Sequence, residues 1–289
     1  MTDSDTVLVI DGGLSTALED RGHRVTGALW TGELLLSNPE ALVDAHRDFV
    51  DAGADVIITG SYQLSFDGGR AVGWSDDETE RALINSTTAA RLAADEGTLV
   101  AASVGPYGAF LADGSEFRGG YGVPASTLRD FHARRLDVLL TTEPDLLAIE
   151  TQPEIDEIRV ILELVRERDV DIPFWVTCTV TTPGQISGGA SWDEVVSLVA
   201  GVDSAIGVGI NCSHVDVLTD TLTSATSPIP YVVYPNHGME WDATTDSWIG
   251  TAHTISDRHL DEWKDAGARL IGGCCGFGAS SISALRQRV

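Results

Sequence analysis

Four cysteines, Cys178, Cys212, Cys274 and Cys275, offer the strongest chemistry in this 289-residue chain. Cys274 and Cys275 are adjacent and flanked by Gly272, Gly273 and Gly276. Adjacent cysteines make strained disulfide partners. Both can reach one metal ion, however, where glycines let the backbone bend. Cys212 lies far upstream in Gly-Ile-Asn-Cys. Three thiolates fill three of the four positions around Zn²⁺ and leave one open, which is the pattern of a catalytic site. The competing reading is three inert buried thiols, because free cysteine also packs as a small hydrophobe. Cys178, within Val176-Thr177-Cys178-Thr179, reads as core packing.

Other polar groups end apolar runs. Asp11 precedes Gly12 and Gly13. A carboxylate there can accept from an ammonium, and glycine amides can approach a ligand carboxylate; a plain tight turn is the alternative. Glu150 closes Leu147-Ala148-Ile149-Glu150, where a bare carboxylate is costly unless it meets a cation. That cation is either a ligand's amino group or a buried arginine. Tyr62 and Gln63 follow another such run and are further substrate-binding candidates. Asn211 precedes Cys212 and can orient a substrate or the thiolate. No general acid or base is assigned beyond the metal site. His214 and His237 fall near the same ends but read as surface or turn residues. Trp30, Trp74 and Trp241 can face a cation, although tryptophans most often pack.

The elements that must position these groups are legible as alternation. Short apolar, mostly β-branched runs occur at Val7–Asp11, Asp55–Thr59, Leu99–Val104, Asp145–Glu150, Phe174–Val180, Ile206–Asn211, Tyr231–Tyr234 and Arg269–Gly272. Each reads as a strand buried on both faces, as parallel strands are. Helical patterns separate them, among them Pro39–Ala52, Asp77–Asp95, Pro124–Thr142, Glu154–Arg168 and Trp192–Ala200, with Ala279–Arg288 last. Eight strand–helix alternations predict a single (β/α)8 TIM barrel, with a doubly wound sheet as the alternative. Long strand-to-helix loops (60–76, 105–123, 181–191 and 235–256) lie at the C-terminal mouth of such a barrel, where active sites are built. Cys212 follows the sixth strand and Cys274–Cys275 the eighth, so all three belong to one rim.

Composition narrows the function. Against 44 acidic residues stand 18 basic ones, a net charge of −26, and Lys264 is the only lysine. That field repels phosphate backbones and anionic lipid, which excludes nucleic-acid and membrane-surface binding as expectations. The acidic start and the absence of a long apolar run predict neither a signal peptide nor a membrane span, and point to the cytoplasm. The acidity also suggests a salt-adapted protein. There is no phosphate loop, GxSxG or HExxH pattern.

Taken together, the motifs resemble the homocysteine S-methyltransferase family, and most of all its S-methylmethionine-using branch. The matching stretches are Asp11-Gly12-Gly13-Leu14-Ser15-Thr16, Thr59-Gly60-Ser61-Tyr62-Gln63, Ser103-Val104-Gly105-Pro106-Tyr107-Gly108-Ala109, Leu111-Ala112-Asp113-Gly114-Ser115, Glu150-Thr151, Gly209-Ile210-Asn211-Cys212, Val233-Tyr234-Pro235-Asn236 and Gly272-Gly273-Cys274-Cys275-Gly276. They run from the first strand to the eighth, so residues 1–289 are read as one homocysteine-binding barrel domain. The resemblance implies zinc on Cys212, Cys274 and Cys275, and homocysteine held by the Asp11 loop and Glu150. It implies methyl transfer from S-methylmethionine or S-adenosylmethionine to homocysteine, giving methionine. The partners expected are these small molecules, and assembly into a homo-oligomer is left open. Departures from the family pattern at Glu33, His237, Met239 and Trp241 bear on the donor. Betaine or another onium donor is therefore an alternative within the family. A non-catalytic zinc or thiol-sensing barrel using the Cys274–Cys275 pair is the alternative outside it.

Overall fold

The computed structural model describes residues 6–25, 27, 29–168, 171–238, 240–242, 247–249 and 252–289, with backbone alone for residues 240–242 and 247–249. The strands are β1 (Leu8–Val9), β2 (Val56–Ile58), β3 (Leu99–Val104), β4 (Leu146–Gln152), β5 (Phe174–Cys178), β6 (Ala205–Asn211), β7 (Tyr231–Tyr234), β8 (Glu240–Asp242), β9 (Ser247–Ile249) and β10 (Ala268–Ile271). Eight of them form one parallel sheet in the order β1-β10-β7-β6-β5-β4-β3-β2. A parallel bridge from Ile10 to Val56 joins the two ends of the order into a ring. The fold is thus the expected (β/α)8 barrel, and all eight anticipated strands are present. β8 and β9 pair antiparallel as a hairpin in the long loop after β7, an element the sequence pattern did not reveal.

The helices are α1 (Leu14–Asp20), α2 (Gly32–Ser37), α3 (Pro39–Asp51), α4 (Phe66–Ala71), α5 (Asp76–Ala93), α6 (Tyr107–Leu111), α7 (Ala125–Thr141), α8 (Ile155–Glu167), α9 (Trp192–Ala200), α10 (Val215–Thr223), α11 (Asp257–Ala266) and α12 (Ala279–Arg286). Their starts follow cap chemistry. Ser75 and Glu78 form a reciprocal capping box on α5, and Ser191 accepts from the Glu194 amide at the head of α9. Among the described residues, no helix is long and apolar enough to cross a membrane.

Period-two alternation divides the strands between two cores. Val9, Val100, Leu147 and Val233 pack outward against the helices. Their neighbours Ile10, Ala101, Ala148 and Val232 point into the barrel with Trp175, Tyr234 and Leu270. The interior is therefore filled, and Trp175 and Tyr234 form a solid floor under the mouth. Trp175 Nε1 donates to the Tyr234 hydroxyl at 3.1 Å, which carries the interior packing up to the level of the site.

Candidate functional site

The three rim cysteines converge. The Sγ atoms of Cys212, Cys274 and Cys275 all lie within 4.8 Å of one another. Cys275 Sγ is 3.8 Å from Cys212 Sγ and 4.0 Å from Cys274 Sγ. Cys212 and Cys274 are joined as a disulfide, their Cα atoms 5.6 Å apart. The bonded partner of Cys274 is thus not its neighbour Cys275, so the pair imagined for a thiol sensor is not the one that forms. Sulfurs around a tetrahedral Zn²⁺ with bonds of about 2.3 Å lie about 3.8 Å apart. Two of the three separations already fit such an ion, and the third pair, now bonded, must be reduced before it can join them. Burial pushes the Cys275 thiol up to about 11, so ion binding there must release a proton. Cys178 is fully buried within β5, apart from the cluster, and burial raises its pKa further still.

Backbone geometry at the rim is unusual. Cys212 has φ +46° and Thr151 φ +60°, left-handed values that non-glycine residues seldom adopt. Trp30, at φ +47°, is a third. All three line the pocket beside the cysteines. Such residues cost about 1–3 kcal/mol each and persist where their surroundings over-determine them. At Thr151 and Cys212 two asparagines do so. Asn211 Oδ1 accepts from the Thr151 amide at 2.9 Å, and its Nδ2 donates to Thr151 Oγ1 at 2.8 Å. Asn236 Nδ2 donates to the Cys212 carbonyl at 3.2 Å, while the Cys212 amide donates to Tyr234 O at 3.0 Å. Asn211 is therefore a positioning residue whose amide is committed to Thr151, and it is not among the pocket-lining residues.

The pocket is lined by the carboxylates of Asp11, Glu116 and Glu150, and by no lysine, arginine or histidine among the described residues. Among the described residues, Glu150 has no arginine partner. Its Oε1 accepts a short bond from the Ser103 hydroxyl, and its Oε2 accepts from the Tyr234 hydroxyl at 3.1 Å. Tyr234 is in turn held by Thr177 at 2.8 Å. Burial pushes the Glu150 pKa up to about 7, against the downward pull of the two hydroxyls. Asp11 Oδ2 accepts from the Ile58 amide at 2.8 Å, and burial, aided by the nearby Glu150, holds its pKa well above the usual range. Neighbouring buried carboxyls whose pKa values are raised in this way favour a cationic ligand.

The glycines after Asp11 serve packing more than ligand approach. A Cβ on Gly12 would lie 2.0 Å from the Phe277 carbonyl oxygen, and one on Gly13 would lie 2.8 Å from Cys274 O. The Gly13 amide donates to Phe277 O at 3.0 Å, so it is not free for a ligand. The two glycines bring the loop after β1 against the cysteine loop, and both line the pocket. Tyr62 lines it too, and its buried hydroxyl has no hydrogen-bond partner among the described residues. Gln63 turns away and donates to Ala109 O at 3.2 Å. His237 donates its amide to Cys275 O at 3.0 Å. Glu33 lies in the first turn of α2 and is not a lining residue. Trp74 packs against the helical core. Met239 and the side chain of Trp241 lie outside the described residues. Tyr234, Ser103, Thr151 and Glu116 are site residues to which sequence reasoning gave no role; for Ser103 the available signal was a hydroxyl on the strand next to a buried acid, whereas Tyr234 reaches Glu150 from β7 across the barrel interior.

Together, a filled parallel barrel, three converging thiols and an acidic pocket at the C-terminal mouth define a thiol-handling barrel enzyme. Comparison with known proteins makes the class specific. Residues 8–289 match the family model described as Homocysteine S-methyltransferase. Homocysteine S-methyltransferase of Escherichia coli is 37% identical, with 100% of this chain and 97% of that protein covered. Homocysteine S-methyltransferase 1 of Brassica oleracea var. italica is 36% identical over 96% of this chain and 92% of its own length. The metallated form of the homocysteine methyltransferase MmuM from Escherichia coli superposes with a TM-score of 0.88 at 35% identity, covering 98% of this chain and 96% of that one. The chain belongs to the homocysteine S-methyltransferase family.

Proposed function

We propose that this barrel transfers a methyl group from a sulfonium donor, S-methylmethionine or S-adenosylmethionine, to the sulfur of L-homocysteine, giving methionine. The convergence of Cys212, Cys274 and Cys275 beside an acidic pocket carries this reading. In the reaction the new bond joins the methyl carbon to the homocysteine sulfur. The bond from that carbon to the donor sulfur breaks, its electron pair stays on the donor sulfur, and the homocysteine thiol proton is released.

Cys212, Cys274 and Cys275 would hold a Zn²⁺ ion, whose Lewis acidity would keep a bound thiol deprotonated at neutral pH. The remaining tasks are positioning and electrostatics. Glu150 and Asp11 take the homocysteine ammonium. Ser103 and Tyr234 hold the Glu150 carboxylate in place for it. Asn211 and Asn236 fix the strained turns that present Thr151 and Cys212. Tyr62 and Trp30 wall the pocket and limit water. We place the chemistry in the cytoplasm, where thiols stay reduced.

The test is methionine formation from L-homocysteine and S-methylmethionine by reduced, zinc-loaded protein in high-salt buffer. Chelator-sensitive product is expected. No product from protein with zinc confirmed on all three cysteines would overturn the reading.

A further inference from the structure

One carboxylate at the mouth is not used by the chemistry above. Glu116 sits on a single 3-10 turn, Ser115–Phe117, in the loop after β3. The turn is built firmly. The Ser115 amide donates to Asp113 Oδ1 at 2.9 Å, and Thr179 Oγ1 donates to the Glu116 carbonyl at 3.1 Å, which pins the turn above the end of β5. The Glu116 side chain lines the same pocket as the cysteines. Its Oε2 is shielded from water, yet it accepts no hydrogen bond among the described residues. A shielded carboxylate oxygen left without a donor is costly unless a ligand supplies the positive charge. Arg118, the nearest arginine along the chain, donates to the Asp113 carbonyl at 3.1 Å and stands 3.9 Å from the Asp113 carboxylate; its charge also acts on Glu116 through space, as the weakest of the influences there, with no hydrogen bond or ion pair between the two among the described residues.

Two aromatic rings share this stretch of wall. Trp30 and Phe117 line the pocket and are 41% and 39% exposed, whereas Asp11 and Glu150 are 1% and 8% exposed. The site is therefore graded in depth. The buried acids lie low, against the strand ends. Glu116 and the two rings form the outer part. The low acids suit the first substrate, whose sulfur must reach the cysteine cluster. The outer part suits whatever enters on top of it. A carboxylate beside aromatic faces is a receptor for an onium ion, whose charge spreads over its attached carbons.

We infer that Glu116, flanked by Trp30 and Phe117, is the subsite that takes the positive charge of the methyl donor. This rests on the methyl-transfer reading above and adds the place of the second substrate. It also gives the reaction a direction at the mouth. Transfer converts the sulfonium to a neutral thioether, so the attraction to Glu116 acts on the donor and lapses on its product.

The test compares wild type with Glu116→Gln and Glu116→Asp. Wild-type turnover of L-homocysteine with S-methylmethionine is measured first, and its absence refutes the methyl-transfer reading together with this one. With turnover established, Glu116→Gln is expected to raise the KM for S-methylmethionine about tenfold, the scale of one charge-assisted contact. The KM for homocysteine and the Kd for methionine, a neutral thioether, should stay within about twofold. Glu116→Asp should fall between the two. An unchanged donor KM in Glu116→Gln, or an equal rise for donor, homocysteine and methionine, overturns the role of Glu116 and leaves methyl transfer standing.

Discussion

The raised pKa of Glu150 makes a quantitative demand on substrate binding. Burial puts this carboxyl at about 7 in the ligand-free protein. A ligand ammonium needs the ionised form, so binding is weaker wherever the group is protonated. The ionised fraction is about 0.1 at pH 6 and about 0.9 at pH 8 for a pKa near 7. Affinity for the amino-acid substrate should therefore rise about tenfold between those pH values, and binding at pH 7 should release about half a proton. The sign follows from the shift. Burial favours the neutral carboxyl, the cation favours the charged one, and raising the pH removes the proton that opposes binding. Methionine is the suitable ligand, because it carries the ammonium but no titrating thiol. Calorimetry in buffers of different ionisation enthalpy gives both the affinity and the proton count. The Glu150→Gln variant separates this carboxyl from Asp11, whose pKa burial also raises. Methionine affinity that is flat from pH 6 to pH 8 in the wild type would refute the argument. So would a slope of equal size in Glu150→Gln.

Three further outcomes are expected. Cys274→Ser should lose zinc and methyl transfer together, read by metal analysis and methionine formation on the same preparation; wild-type turnover would remove the metal role. Gly12→Ala drives a Cβ to within 2.0 Å of the Phe277 carbonyl, a backbone atom that cannot swing aside. It should cost about 3 kcal/mol of stability and weaken zinc binding, because the cysteine loop must shift; an unaltered melting temperature and zinc affinity would show that the loop yields freely. Finally, with a net charge of −26, self-repulsion should lower the melting temperature in dilute buffer relative to molar KCl. Equal melting temperatures would end the salt-adaptation reading.

The barrel was legible because its strands are dense in β-branched residues, and their ends could be placed on one rim by counting alternations. That alone brought Cys212 to Cys274 and Cys275. Side-chain direction was less visible. Asn211 and Gln63 both end near the mouth, yet the first is spent on Thr151 and the second faces Ala109. Neither commitment shows in a linear pattern, because one partner comes from another strand and the other from a helix. The role given to Gly12 and Gly13 changed for a similar reason. Their missing side chains admit the Phe277 loop, which lies at the other end of the chain. Glu116 escaped notice because a single 3-10 turn in a glycine-rich loop carries no periodicity. The β8–β9 hairpin was hidden likewise, its strands being three residues each.

The ring of strands closes late along the chain. β10 lies between β1 and β7, and it bears the two adjacent cysteines just beyond its end. The Gly276 amide there donates to Thr16 Oγ1 across 260 residues of sequence. A nascent chain that has emerged only through β7 has Cys212 but neither partner for it, and its sheet lacks the stave between its first and latest strands. Capture of a metal ion by all three thiols must then wait for the last stave, so an ion held there would come as a seal on a finished barrel rather than as a template for an unfinished one.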